Sequence, residues 1–119
     1  MEERLGEMEM RFAEMIWQTA PVPSGELVRK CAEAFNWKKS TTYTMLKRLC
    51  ERGLFVNEKG TVKTLISRED YAAMRGRAMV QQDFGGSLPR FVAAFTAGGK
   101  LSREDAEELQ RLIDASRED

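Results

Sequence analysis

Phe35-Asn36-Trp37-Lys38-Lys39-Ser40-Thr41-Thr42-Tyr43-Thr44-Met45-Leu46-Lys47-Arg48-Leu49 is the stretch on which the reading of this chain turns. Taken as a helix from about Ser40 to Arg52, it sets Thr42, Met45, Leu46 and Leu49 on one face, at steps of three and four. Tyr43, Thr44, Lys47 and Arg48 then point the other way, and Lys38, Lys39, Ser40 and Thr41 gather at the helix start. Gly53 stands where a left-handed C-cap is wanted.

Working back towards the N-terminus, the polar break Asn36–Lys39 separates this helix from another, spanning Ser24 to Phe35. Ser24 is its expected N-cap, Glu26 suits the positive end of the dipole, and Leu27, Val28, Cys31 and Phe35 form its inward stripe. A first helix is expected from Leu5 to Thr19, with Leu5, Met8, Phe12, Met15 and Ile16 inward and Pro21 and Pro23 ending it. Trp17 and Trp37 read as core side chains, Trp37 as a lid. Working forward, 54–57 and 61–66 read as two strands around a Glu58-Lys59-Gly60 turn. Three helices followed by a hairpin is the order of a winged helix-turn-helix.

The remainder is helical. Ser67 and Asp70 cap a helix reaching Phe84, with Tyr71, Met74 and Ala78 inward; Gly85-Gly86 breaks it. Pro89 opens a fifth helix carrying Phe91, Val92 and Phe95, ended by Gly98-Gly99. Ser102 and Asp105 cap a sixth, bearing Ala106, Leu109, Leu112 and Ile113. Three lean amphipathic helices make a poor core alone, whereas two copies facing each other make a better one. The expected architecture is mostly α with a small β-hairpin: a winged helix-turn-helix over 1–67 and a helical dimerisation region over 68–119. Tyr71, Met74, Ala78, Phe91, Val92, Phe95, Leu109, Leu112 and Ile113 are the expected dimer contacts.

Charge points to the partner. The 119 residues sum to zero, yet 29–63 hold nine Lys/Arg against three Asp/Glu, a balance of +6. The flanking segments 1–28 and 100–119 come to −4 and −3. Between Phe35 and Cys50 there is no acid. Hydroxyls, an aromatic ring and cations on one exposed helix face suit a duplex. The hydroxyls meet base edges or phosphates, the cations meet phosphates or guanine, and the helix start offers backbone donors to a phosphate. Lys59 and Lys63, at the hairpin turn, are candidates for the flanking backbone or minor groove, or are simply a solubilising loop. Arg48 reads either as a phosphate contact or as the partner of an acid such as Glu51 or Glu14. A winged-helix module that binds protein rather than DNA is the alternative.

Other classes fall away. No apolar run reaches 18 residues, so no transmembrane helix is expected, and MEERLGEMEMRF lacks the features of a secretory signal. A cytoplasmic protein with no membrane partner is expected. Cys31 and Cys50 lie in helix patterns without CxxC spacing, and the chain has no histidine, which argues for free thiols and against a metal site. Without histidine, a Gly-rich phosphate loop or clustered carboxylates in an apolar setting, neither a catalytic site nor a cofactor is expected.

Trp37, Thr41-Thr42-Tyr43-Thr44, Leu46, Arg48-Leu49 and Gly53-Leu54 together resemble the BlaI/MecI penicillinase-repressor family. Ile16-Trp17 and the run Gly85-Gly86, Phe91, Phe95, Leu101-Ser102, Glu107-Glu108-Leu109 and Leu112-Ile113 extend the resemblance over nearly the whole chain. It implies a winged-helix repressor that dimerises through its C-terminal helices and binds a palindromic double-stranded DNA operator. It also implies a regulatory protease as partner, because in the best-known members a β-lactam sensor triggers cleavage of an Asn–Phe bond. That bond matches Ala94–Phe95 here, and the missing Asn puts β-lactam responsiveness in doubt. The wing is short and lacks the family's usual tyrosines. The C-terminal cysteine cluster of the copper-responsive relatives is absent.

Overall fold

The computed structural model describes residues 5–118, so residues 1–4 and 119 of the expected 1–67 and 68–119 regions lie outside the described residues. The order of elements is α1 (Glu7–Thr19), β1 (Val22–Pro23), α2 (Ser24–Phe35), α3 (Lys39–Glu51), β2 (Phe55–Glu58), β3 (Thr61–Thr64), α4 (Arg68–Phe84), α5 (Leu88–Ala97) and α6 (Arg103–Ser116). Three helices and a wing followed by three further helices is the expected fold. The chain forms two compact units, residues 1–78 and 79–119.

In the first unit, apolar side chains from every helix and from the hairpin share one core. Phe12 and Ile16 come from α1, Leu27 and Cys31 from α2, Leu46 and Leu49 from α3, Leu54, Phe55 and Val62 from the hairpin region, and Tyr71 from α4. Trp37 closes the edge as expected, its ring T-shaped on Phe12 at 5.4 Å and tilted on Phe35 at 4.9 Å. Trp17 packs on Phe55 and Tyr71, and its indole N–H donates to the Ile66 carbonyl at 2.9 Å. That bond satisfies the one polar atom of an otherwise apolar ring.

The end of α3 follows its sequence closely. Gly53 has φ 86°; its N–H bonds to the Cys50 carbonyl, and that of Leu54 bonds to Leu49. These two reversed bonds form a Schellman cap, with Leu49 and Leu54 both buried over it. The wing turn is tighter than expected. Glu58 pairs with Thr61, leaving only Lys59 (φ 53°) and Gly60 (φ 89°) in the loop. Two consecutive positive φ values make a type I′ turn, whose twist matches that of the strands. The Asn57 side chain accepts the Gly60 N–H at 3.1 Å.

Two further features differ from expectation. The sheet has a third strand, β1, lying beside β3 in the order β1-β3-β2, all antiparallel, with Val22 opposite Val62 and Pro23 opposite Thr61. Two residues show no alternation, and Pro21 and Pro23 read only as helix breakers; an edge strand tolerates proline because one side of it needs no donor. Ser24 is therefore not a cap. Pro23, still extended, holds that position, and Ser24 is the first helical residue.

Ser67 caps α4 as expected, accepting the Asp70 N–H at 3.0 Å. Arg68 grips Glu14 of α1 with one N–H shared between both carboxylate oxygens at 2.7 and 2.8 Å. In the second unit, Ser87 and Ser102 cap α5 and α6 through Arg90 and Asp105. Phe91 meets Phe84 in a T-shaped contact at 5.5 Å and Phe95 in a tilted one at 5.9 Å. No residue of α5 or α6 is buried.

Candidate nucleic-acid interface

The buried side of α3 is Thr42, Leu46 and Leu49, with Met45 half-buried at its margin. A helix anchored there can present only one other face. Ser40, Thr41, Tyr43, Thr44, Lys47 and Arg48 lie on it, exposed, with Lys38 and Lys39 at its N-terminal end. Lys38 occupies the N-cap without a side-chain bond, and no acid stands in the first turn. The α3 start thus carries both positive side chains and uncapped backbone donors.

Ion pairing sorts the cations of the basic segment. Arg29 is held by Glu26 and Glu33, Arg52 lies 4.0 Å from Glu9, and Lys63 meets Glu58 of the facing strand at 2.9 Å. Lys38, Lys39, Lys47 and Lys59 have no ion pair among the described residues. Lys59 sits in the wing turn itself. Glu14, one of the acids considered for Arg48, is taken by Arg68, and the Arg48 guanidinium rests instead against Met45 Sδ at 3.6 Å. Lys30 on α2 has no ion pair among the described residues either; the rest of the unpaired positive charge of residues 29–63 gathers on the outward side of α3 and the wing tip.

Tyr43 is 36% exposed, yet its hydroxyl lies 3.0 Å from Ser24 Oγ. Ser24 was legible only as a helix start; nineteen residues of separation hide the contact from any local pattern. Thr42 Oγ1 is buried with no oxygen or nitrogen partner. The Cys31 thiol beside it is a weak one. Burial pushes the Cys31 thiol up, the Thr42 contact opposing it slightly, and burial pushes Cys50 up as well. Both cysteines are free, and no group of three metal-ligating side chains exists among the described residues.

The side chains expected at a dimer contact fall into two sets. Tyr71, 1% exposed, is instead core of the first unit, where Met74 packs beside it, and Ala78 is half-buried. A ring enclosed by its own protomer is not available to a second copy. In the second unit, Phe91 is half-buried, while Val92, Phe95, Leu109, Leu112 and Ile113 are exposed, Phe95 to 65%. Leu88, not singled out from the sequence, is also exposed. An open apolar groove of about 370 Å³ runs between α5 and α6, floored by Phe91, Val92, Phe95, Leu101 and Leu109, with Asp105 and Glu108 at its rim. Ala94 and Phe95 lie within α5. No helix among the described residues is long and apolar enough to cross a membrane.

The family profile described as "Penicillinase repressor" matches residues 5–115. The penicillinase repressor of Bacillus licheniformis is 24% identical over 115 residues, which cover 93% of this chain and 90% of that protein.

Proposed function

The chain belongs to the penicillinase-repressor family, a family of transcriptional regulators, and from that premise we propose that it represses transcription by binding an operator in double-stranded DNA as a homodimer. The observation that carries this reading is the outward face of α3. It combines hydroxyls, a tyrosine and unpaired lysines, with no acid between Phe35 and Cys50.

Seated in the major groove, α3 brings Tyr43 and Thr44 to base edges, while Lys38, Lys39 and Lys47 neutralise phosphates on either side. Ser40 and Thr41, at the helix start, meet the backbone, where the dipole favours a phosphate. Arg48, paired with neither Glu14 nor Glu51, is assigned to a phosphate. Lys59 at the wing tip reaches the flanking backbone, with Lys63 behind it, partly neutralised by Glu58. Residues 1–67 are the DNA-binding domain in this reading, and 68–119 carry dimerisation, through the exposed α5 and α6 side chains. Two copies place two α3 helices in successive major grooves, so a palindromic operator follows from protein symmetry. The protein acts where bacterial DNA is, in the cytoplasm, without enzymatic activity. Relief through a regulatory protease at Ala94–Phe95 is the route that the family pattern suggests.

Fluorescence polarisation of labelled random duplex at low and moderate salt tests the reading. Binding that weakens steeply with salt supports phosphate contact. Salt-insensitive or absent binding would mean that the winged helix is a protein-interaction module.

A further inference from the structure

Ser24 is 8% exposed, and its hydroxyl is 3.0 Å from that of Tyr43. Its backbone is held from two directions. The Ser24 N–H donates to the Gly60 carbonyl in the wing turn at 2.8 Å, and Pro23 before it is paired with Thr61 in the sheet. The hydroxyl is therefore offered from a point fixed by sheet and wing together. Tyr43 projects from α3 at the other end of the bond. An exposed tyrosine without such a tie samples several rotamers, and one bond to a fixed, shielded hydroxyl selects among them before any ligand arrives. A hydroxyl both donates and accepts, so the phenol keeps a second capacity: its proton if Ser24 donates, its lone pairs if Tyr43 donates.

We propose that Ser24 is a positioning residue for sequence recognition, holding the Tyr43 ring in the orientation that meets base edges and thereby setting discrimination between sequences rather than general affinity for DNA. The inference rests on the DNA-binding reading above and adds to it a residue that itself touches no base. Phosphate contacts of the lysines do not depend on the Tyr43 rotamer, so the two kinds of binding should separate.

The experiment uses the full chain as wild type, Ser24→Ala, Tyr43→Phe and the double variant. One probe is the duplex that the wild type selects from a randomised 30-base-pair library (about three helical turns, room for two half-sites); the other is the unselected library. Affinities are measured at two salt concentrations, well below the lowest melting temperature of the set. Ser24→Ala should lower the selected-to-random affinity ratio about three- to tenfold, the range of one hydrogen bond, and leave random-duplex affinity and its salt slope unchanged; Tyr43→Phe should lower the ratio at least as much. The double variant should be no worse than Tyr43→Phe alone, because Ser24 acts only through the hydroxyl that Tyr43→Phe has already removed. The cycle also cancels any effect of Ser24→Ala that does not pass through Tyr43. A ratio unmoved by Ser24→Ala, or losses that add, overturns the positioning role while the DNA-binding reading stands. A wild type that enriches no sequence overturns the sequence-specific reading and this inference with it.

Discussion

Lys39 and Lys47 stand on the outward side of α3 with no carboxylate paired to them among the described residues, and an isolated ammonium on a flexible stem acts on a duplex as a point charge. Lys39→Ala and Lys47→Ala should weaken binding to all sequences alike, each flattening the log–log salt dependence by about one unit. Tyr43→Ala and Thr44→Ala should instead cost about 1–3 kcal/mol at the selected duplex and far less at random DNA. Salt-titrated affinities for both duplexes separate the two classes, and an unchanged ratio in the latter pair removes base reading from α3. Glu14 offers a check on the fold. The hydrogen bond from Arg68 holds its carboxyl below the ordinary 4.5, aided by charge attraction and opposed by desolvation. A carboxyl depressed on folding contributes stability above its unfolded value and loses it as pH falls through the folded one. The melting-temperature gap between wild type and Glu14→Gln should therefore be open at neutral pH and close as pH drops below 4.5. At this scale the sequence was readable wherever helical period decides the matter, as it does for Thr42, Leu46 and Leu49 against Tyr43, Thr44, Lys47 and Arg48. It was unreadable for Ser24 and Tyr43, whose contact depends on how α2 and α3 pack.

The wing turn places Lys59 at φ 53°, a conformation that costs a non-glycine residue about 1 kcal/mol and that asparagine tolerates better. Lys59→Asn should raise thermal stability while lowering affinity for random duplex, and the opposite signs make the pair of measurements diagnostic. Stability up with affinity unchanged would relegate the wing tip to a solubilising loop. In α5 the Ala94–Phe95 bond lies two residues from the helix end, with Thr96 Oγ1 tied back to the Val92 carbonyl at 2.8 Å. Cleavage there requires local unwinding as well as recognition of a residue other than Asn. Incubation with a β-lactam sensor system of the family should leave the intact mass unchanged; fragments divided between Ala94 and Phe95 would refute this. Elements whose ends carry chemistry of their own were legible, as at Gly53, Ser67 and Ser102. β1 was not, since a two-residue strand exists only through its neighbour β3.

Over the whole molecule, the signals at Ser67 and Asp70 mark where α4 begins but say nothing of what it packs against; Tyr71 in the first unit's core is the instance. A sequence stripe tells that a side chain seeks burial without telling whether its own protomer or a second copy supplies it. For α5 and α6 the described chain buries no side chain fully, and Phe95→Asp in the full chain tests the consequence. Sedimentation should show a dimer for the wild type and a monomer for the variant, with the melting of residues 1–78 unaltered and affinity for the selected duplex reduced. A dimer that survives Phe95→Asp would place the contact elsewhere. The absence of any buried residue in α5 and α6 also bears on mass action. If ordering these helices and joining two copies are one event, their stability carries a concentration in it, and each tenfold dilution withdraws about 1.4 kcal/mol per dimer. Dilution then does to the C-terminal unit what heat or urea does to the winged helix, and the abundance of the protein becomes a variable of its own folding.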